Sequence, residues 1–176
     1  MTAKPVDPDA VRQLLRNRES PPSAEFSVGS ERVDLELIGP GNGPVRVRKR
    51  DWEWLVDEPP ERGGSDSSPN PLAYFLSGSA SCLLSHYMLC AIAEELPVDS
   101  LTMTARMRFA RKLYGGRVTS VVYDVRFESS ADAETFRSFA QRAQAMCYAH
   151  NTLAAADVEL LTNVHLNGEK IIELTA

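Results

Sequence analysis

Residues 70–96 read NPLAYFLSGSASCLLSHYMLCAIAEEL. Asn70 can cap a helix, Pro71 suits the first helical position with its fixed φ and missing N–H, and good helix formers continue to about Leu96, where Pro97 stops them. The spacing predicts one long helix with Cys82 three turns inside it. Pro71 to Ala93 carries no formal charge and is long enough to cross a bilayer. Ser77, Ser79, Ser81, Ser85 and His86 interrupt that run, and polar amphipathic segments make up the rest of the chain, so the expectation is a buried core helix and not a membrane span. The small side chains from Ser77 to Ser81 would let a second backbone approach closely, and the segment carrying Cys147 is the expected neighbour.

On the N-terminal side, residues 57–71, DEPPERGGSDSSPNP, are a loop by composition. Before it, Val33, Leu35 and Leu37 alternate with Asp34 and Glu36, and GPGNGP turns the chain into Val45 and Val47, a pattern for an antiparallel hairpin that Trp52 to Val56 extends. Arg46, Arg48 and Arg50 share its other face. Residues 1–24 are polar and proline-bearing, with one short helix expected at Asp9 to Arg16, and read as an arm; residues 25–176 read as a single domain. On the C-terminal side, Leu101, Met103, Ala105, Met107 and Phe109 alternate with polar residues, and YGGR leads into Val121, Tyr123, Val125 and Phe127, a second hairpin. Asp132 and Glu134 open a further helix whose apolar positions Phe136, Phe139, Ala140, Ala143 and Cys147 follow helical spacing. Val158 to Leu161 and a strand pair turning at Asn167-Gly168 close the chain.

The chain has 176 residues, 43% of them hydrophobic, which is enough for one well-buried domain and short for two. Acidic residues outnumber basic ones, 24 to 19, and the formal charge of −5 argues against nucleic acid or an anionic membrane as partner. Three cysteines without regular spacing, and an N-terminus without an apolar leader-like stretch, point to a reducing cytoplasm in which any disulfide would be transient.

Cys82 and Cys147 lie on two different apolar helix patterns, and if they meet in a buried site they form a peroxidatic and resolving thiol pair. Cys90 cannot be the partner of Cys82, because eight helical residues separate them by about 12 Å along the axis, roughly twice the reach of a disulfide. It reads as a small buried hydrophobe.

The segment DEPPERGGSDSSPNPLAYFLSGSASC, followed downstream by CYAHNTL, resembles the family of osmotically inducible protein C and organic hydroperoxide resistance protein (OsmC/Ohr), over roughly residues 50–165. The resemblance implies an α+β OsmC-like fold, with antiparallel sheets packed on two long central helices in an interlocked homodimer. It implies reduction of organic hydroperoxides by Cys82 and Cys147, no cofactor, and regeneration by a dithiol of lipoyl or thioredoxin type.

A thiol attacks peroxide only as thiolate, and Cys82 is too deep in its helix for the macrodipole to help, so a cation must be brought in. By the resemblance Arg62 is the first choice; Arg48, Arg46 and Arg32 on the early strands are alternatives whose plainer reading is a solvated strand face. Hydroperoxide-reducing members carry a glutamate after the Asn-Pro pair to orient the arginine, and here that position is Leu72. Asp57, Glu58, Glu61 or Asp66 would have to replace it. His150 is a possible proton donor to the leaving alcohol. Cys82, His86, Cys147 and His150 would also make a tetrahedral metal set, although the spacing lacks zinc-finger turns and no metal is expected. The candidate walls of the substrate site are Phe75, Leu76, Leu83, Met88, Phe136 and Phe139. The rival reading is a non-catalytic member binding a hydrophobic small molecule in the same cleft.

Overall fold

Helix α2, Pro71–Ala93, begins as its sequence dictates: the side chain of Asn70 accepts from Ala73 N–H at 2.9 Å with Pro71 in the first turn. It ends three residues earlier than the run of helix formers suggests. Glu95 takes a positive φ of 55°, and the N–H groups of Leu96 and Glu95 return to the carbonyls of Ala91 and Ile92, a Schellman-type stop without glycine. The computed structural model describes residues 7–19, 29–111 and 115–176. The chain divides into two compact units, one of Met1–Pro22 with Ser79–Ala176 and the other of Ser23–Gly78, the boundary falling inside α2.

In the unit containing residues 79–176, strands β4 (Ser100–Arg111), β5 (Gly116–Glu128), β6 (Glu159–Leu166) and β7 (Glu169–Thr175) form one sheet in that order. Antiparallel pairing joins β4 to β5 and β6 to β7, as the two turn sequences predict, but β5 and β6 are parallel. This sheet is therefore mixed, and not antiparallel throughout as the resemblance implies. Helices α3 (Ala133–Ala145) and α4 (Tyr148–Ala155) form a crossover that returns the chain to the start of the sheet, so β6 must run alongside β5 in the same direction.

One face of this sheet is the core. Val121, Tyr123, Val125 and Phe127 of β5 and Leu160, Val164 and Leu166 of β6 are buried on it. Leu83, Tyr87, Cys90 and Ala91 of α2 and Phe136, Phe139, Ala140 and Ala143 of α3 are buried with them. Tyr87, Phe127, Phe136 and Phe139 meet edge-on or tilted with ring centroids 5.1–6.0 Å apart, each such pair adding about 0.5–1.5 kcal/mol beyond area burial. Phe136 and Phe139, expected as pocket walls, are therefore spent on the core. On β5, Asp124 is held by Arg106 and by Asn163 at 2.9 Å; burial opposes its ionisation, but these partners keep its carboxyl below the usual range.

Helix α1 spans Pro8–Glu19, longer than the expected Asp9 to Arg16, and Arg12 pairs with Glu95 at 2.8 Å. Helix α2 is long and apolar enough to cross a membrane by length and composition alone, with a mean hydropathy of 1.4 and 33% of that stretch buried in the single chain.

In the unit Ser23–Gly78, β1 (Asp34–Leu37), β2 (Val45–Lys49) and β3 (Trp52–Val56) form an antiparallel sheet in that order, the hairpin and its extension read from the alternation. Val47 is buried, whereas Val33, Leu35, Leu37 and Trp52 stand exposed.

Candidate thiol site

Helices α2 and α3 meet through a ladder of contacts that sets the positions of the cysteines. Arg142 grips Glu94 with Nε at 3.1 Å and Nη2 at 2.5 Å, and Cys90 Sγ lies 3.7 Å from Met146 Sδ. At the next step Cys147 Sγ lies 3.6 Å from Cys82 Sγ. Residue numbers fall along α2 as they rise along α3, so the two helices run antiparallel. The sulfurs are in contact and roughly 1.5 Å farther apart than in a disulfide. Cys82 is half-buried and Cys147 is fully enclosed.

Cys147 is not on the stripe of one continuous helix, as the spacing suggests. The helix breaks at Met146, and Cys147 takes extended backbone (φ −79°, ψ 116°) as the N-cap residue of α4. The break is satisfied locally: Asn151 donates its side-chain amide to the Ala145 carbonyl at 2.9 Å and its N–H to the Cys147 carbonyl at 3.0 Å. Burial pushes the Cys147 thiol up to about 11, and the backbone N–H groups of His150 and Ala149 at the start of α4 only partly offset it. Cys82 is the more accessible of the two sulfurs.

His86, one turn after Cys82, is buried beside it. Its Nδ1 lies 2.8 Å from the Cys82 carbonyl oxygen and 3.9 Å from Cys82 Sγ. A carbonyl only accepts, so Nδ1 carries a proton, and in the neutral ring Nε2 holds the lone pair. That Nε2 is buried and has no hydrogen-bond partner among the described residues. The Tyr148 ring stands edge-on to the His86 ring, with the centroids 5.8 Å apart. One ligand atom from each of Cys82, His86 and Cys147 lies within 4.8 Å of the others, and His150 is outside this group. His150 is buried, its Nδ1 also lacks a partner among the described residues, and burial lowers its pKa so that the ring is neutral at neutral pH. The spacing of four residues puts Cys82 and His86 on one helix face, a sign legible in the sequence, where His86 reads as part of a metal set.

Arg62 closes a single 3-10 turn, Pro60–Arg62, in the loop of the other unit. The loop is built around Asp57, which is only 2% exposed. Its carboxylate accepts from Ser65 Oγ and Ser67 Oγ, both at 2.7 Å, and from the N–H groups of Glu58, Ser65 and Ser67 at 2.9–3.2 Å. These bonds, that of Ser65 foremost, hold the Asp57 carboxyl well below the usual carboxylate range. A Cβ on Gly64 would fall 1.8 Å from the Glu58 carbonyl oxygen and 2.8 Å from Asp57 Oδ1, so the loop closes only around glycine. Of the four carboxylates considered as replacements at Leu72, Glu58 is the one that pairs with Arg62, at 3.6 Å. Arg46 and Arg48 are both held by Glu36 and Glu53 across the sheet, the strand-face arrangement. Arg32 pairs with Asp34.

A sequence model described as OsmC-like protein matches residues 64–161, more than half of the chain. No curated protein matches the sequence. Among solved structures, an OsmC-like protein of Mycoplasma pneumoniae superposes with a TM-score of 0.70 at 20% identity, covering 78% of this chain and 97% of that one. An organic hydroperoxide resistance protein of Elizabethkingia anophelis gives 0.60 at 18% identity, covering 80% and 99%. The corresponding protein of Bacillus subtilis gives 0.55 at 14% identity, covering 80% and 100%. The two sheets and the helices of this chain thus follow the architecture of those proteins, and the chain belongs to the OsmC-like family.

Proposed function

We propose that this protein reduces organic hydroperoxides to alcohols, with Cys82 as the attacking thiol and Cys147 as the resolving one. The observation that carries the reading is the 3.6 Å contact between one half-buried and one enclosed sulfur. The Cys82 thiolate attacks the distal peroxide oxygen, the O–O bond breaks, and the alkoxide leaves as alcohol with a proton. Cys82 is then a sulfenic acid, and attack by Cys147 forms the disulfide and releases water. A dithiol of lipoyl or thioredoxin type restores the pair, in the cytoplasm.

Arg62 is the cation assigned to the Cys82 thiolate, and Glu58 the carboxylate that orients it in place of the glutamate missing at Leu72. Arg48 is a weaker candidate because two glutamates already engage it. His150, neutral as the base form, is left the lesser role of donating through a ring N–H. A homodimer is part of the reading: Val33, Leu35, Leu37 and Trp52 are exposed in the single chain, and a second copy would cover them.

The alternative, a non-catalytic member binding a hydrophobic small molecule, is favoured by Leu72 alone. Stoichiometric cumene hydroperoxide added to the reduced protein separates the two. Peroxide loss with a Cys82–Cys147 bond, abolished in Cys82→Ser, supports reduction; unchanged thiols and unchanged peroxide support binding without turnover.

A further inference from the structure

We propose that Cys82, Cys147 and His86 form a binding site for a thiophilic divalent cation, Zn2+ by its donor set, and that this site and the Cys82–Cys147 disulfide exclude one another. The sulfurs are 3.6 Å apart. Two thiolates on one tetrahedral zinc, each bound at about 2.3 Å, stand about 3.8 Å apart, so the pair needs almost no adjustment. A ring nitrogen of His86 completes a cluster whose ligand atoms all lie within 4.8 Å of one another.

The orientation of His86 supports the assignment independently. Metal-binding imidazoles commonly donate their other N–H to a backbone carbonyl, which fixes the tautomer and raises the basicity of the ligating nitrogen. Here Nδ1, 3.9 Å from Cys82 Sγ, is also 2.8 Å from the Cys82 carbonyl, to which it gives its N–H, so the ligating role falls to Nε2, which is buried without a partner among the described residues. A buried acceptor of this kind costs stability until something fills it. Two sulfurs and an imidazole select zinc over magnesium, calcium or manganese. Three protein ligands leave the fourth position to water or a small ligand, and the partial exposure of Cys82 gives a path to it.

Oxidation empties the site. The two thiolates give up one electron each as the sulfur–sulfur bond forms, the O–O bond of the hydroperoxide takes both electrons, two protons complete alcohol and water, and Zn2+ leaves with its charge unchanged. This release rests on the hydroperoxide reading; cation binding does not.

Cobalt titration of the reduced full-length protein tests the proposal. Stoichiometric Co2+ is expected to give a near-ultraviolet sulfur-to-cobalt charge-transfer band with the visible absorption of a tetrahedral site, and Zn2+ to bleach both. His86→Ala and His86→Gln should weaken binding by more than about 100-fold, beyond the loss of an outer-shell partner, while cumene hydroperoxide still joins Cys82 to Cys147 in them. A wild-type protein without the charge-transfer band, or the full band and affinity in both His86 variants, overturns the site. Disulfide formation without cobalt binding removes the cation site and leaves the peroxidase; cobalt binding with thiols that hydroperoxide leaves free does the reverse.

Discussion

Cys147 Sγ touches Cys82 Sγ at 3.6 Å, yet Cys147 is fully enclosed while Cys82 is half-buried. The pair is therefore unequal before any chemistry starts. Alkylation of the reduced protein with iodoacetamide should modify Cys82 faster than Cys147 by more than about 10-fold, since Cys82 is the more accessible and burial keeps Cys147 protonated. Peptide mapping over time reads the two rates, and faster labelling of Cys147 would reverse the assignment of attacking and resolving thiol.

Burial that holds Cys147 protonated up to about 11 also sets an alkaline limit on stability. Below the ordinary thiol value, folded and unfolded chains both keep the proton and no stability is lost. As pH rises from there toward 11, the unfolded chain ionises first and the folded state loses stability. Urea midpoints between pH 8 and 11, approximate limits of the thiol window, should fall for the wild type and fall less for Cys147→Ala.

Asp57 works in the opposite direction at acid pH, because its hydrogen bonds depress its pKa. Its contribution is complete above the ordinary carboxylate range and is lost as pH falls, when the unfolded chain takes up a proton first. Ser65→Ala combined with Ser67→Ala should lower stability at neutral pH and make the further loss on acidification shallower. Denaturant melts at neutral and acid pH measure both effects.

Arg62 carries the cation role in the proposed reaction, and the Asp57 loop holds it. Arg62→Ala should slow oxidation of Cys82 by cumene hydroperoxide by roughly 100-fold, the scale on which one lost electrostatic donor acts, with partial recovery in Arg62→Lys. Gly64→Ala should slow it too, since the added methyl collides with the Glu58 carbonyl and opens the loop. Stopped-flow peroxide consumption gives the rates; wild-type speed in Arg62→Ala would hand the role to another cation.

The core offers a simpler test. Phe127 packs against Tyr87, Phe136 and Phe139 and is 1% exposed. Phe127→Ala should cost about 3–5 kcal/mol in a urea melt, as large cavities in aromatic cores do.

Much of this architecture was readable because local signals were strong. Asn70-Pro71 fixes the start of α2, Asp132 caps α3 through the N–H groups of Glu134 and Thr135, and the alternation of β4 and β5 marks one buried face. The break at Cys147 was not readable, since AQAMCYAHN holds no glycine or proline and the stop comes from the Asn151 side chain folding back on Ala145. The parallel pairing of β6 follows from the crossover of two helices and not from strand composition. Among the candidate site residues, Cys82 and Cys147 stand in contiguous helical patterns and are legible in the sequence. The network around Asp57 was hidden because loop serines such as Ser65 and Ser67 look solvated until the backbone wraps them round a carboxylate. Arg46 and Arg48 behave as their strand pattern suggests, each tied to glutamates on the same sheet.

The most direct test traps the first oxidation product. Cys147→Ser, treated with one equivalent of cumene hydroperoxide in the presence of dimedone and mapped by mass spectrometry, should carry the adduct on Cys82 and lose an equal amount of peroxide. An unmodified Cys82 with the peroxide intact would contradict the account.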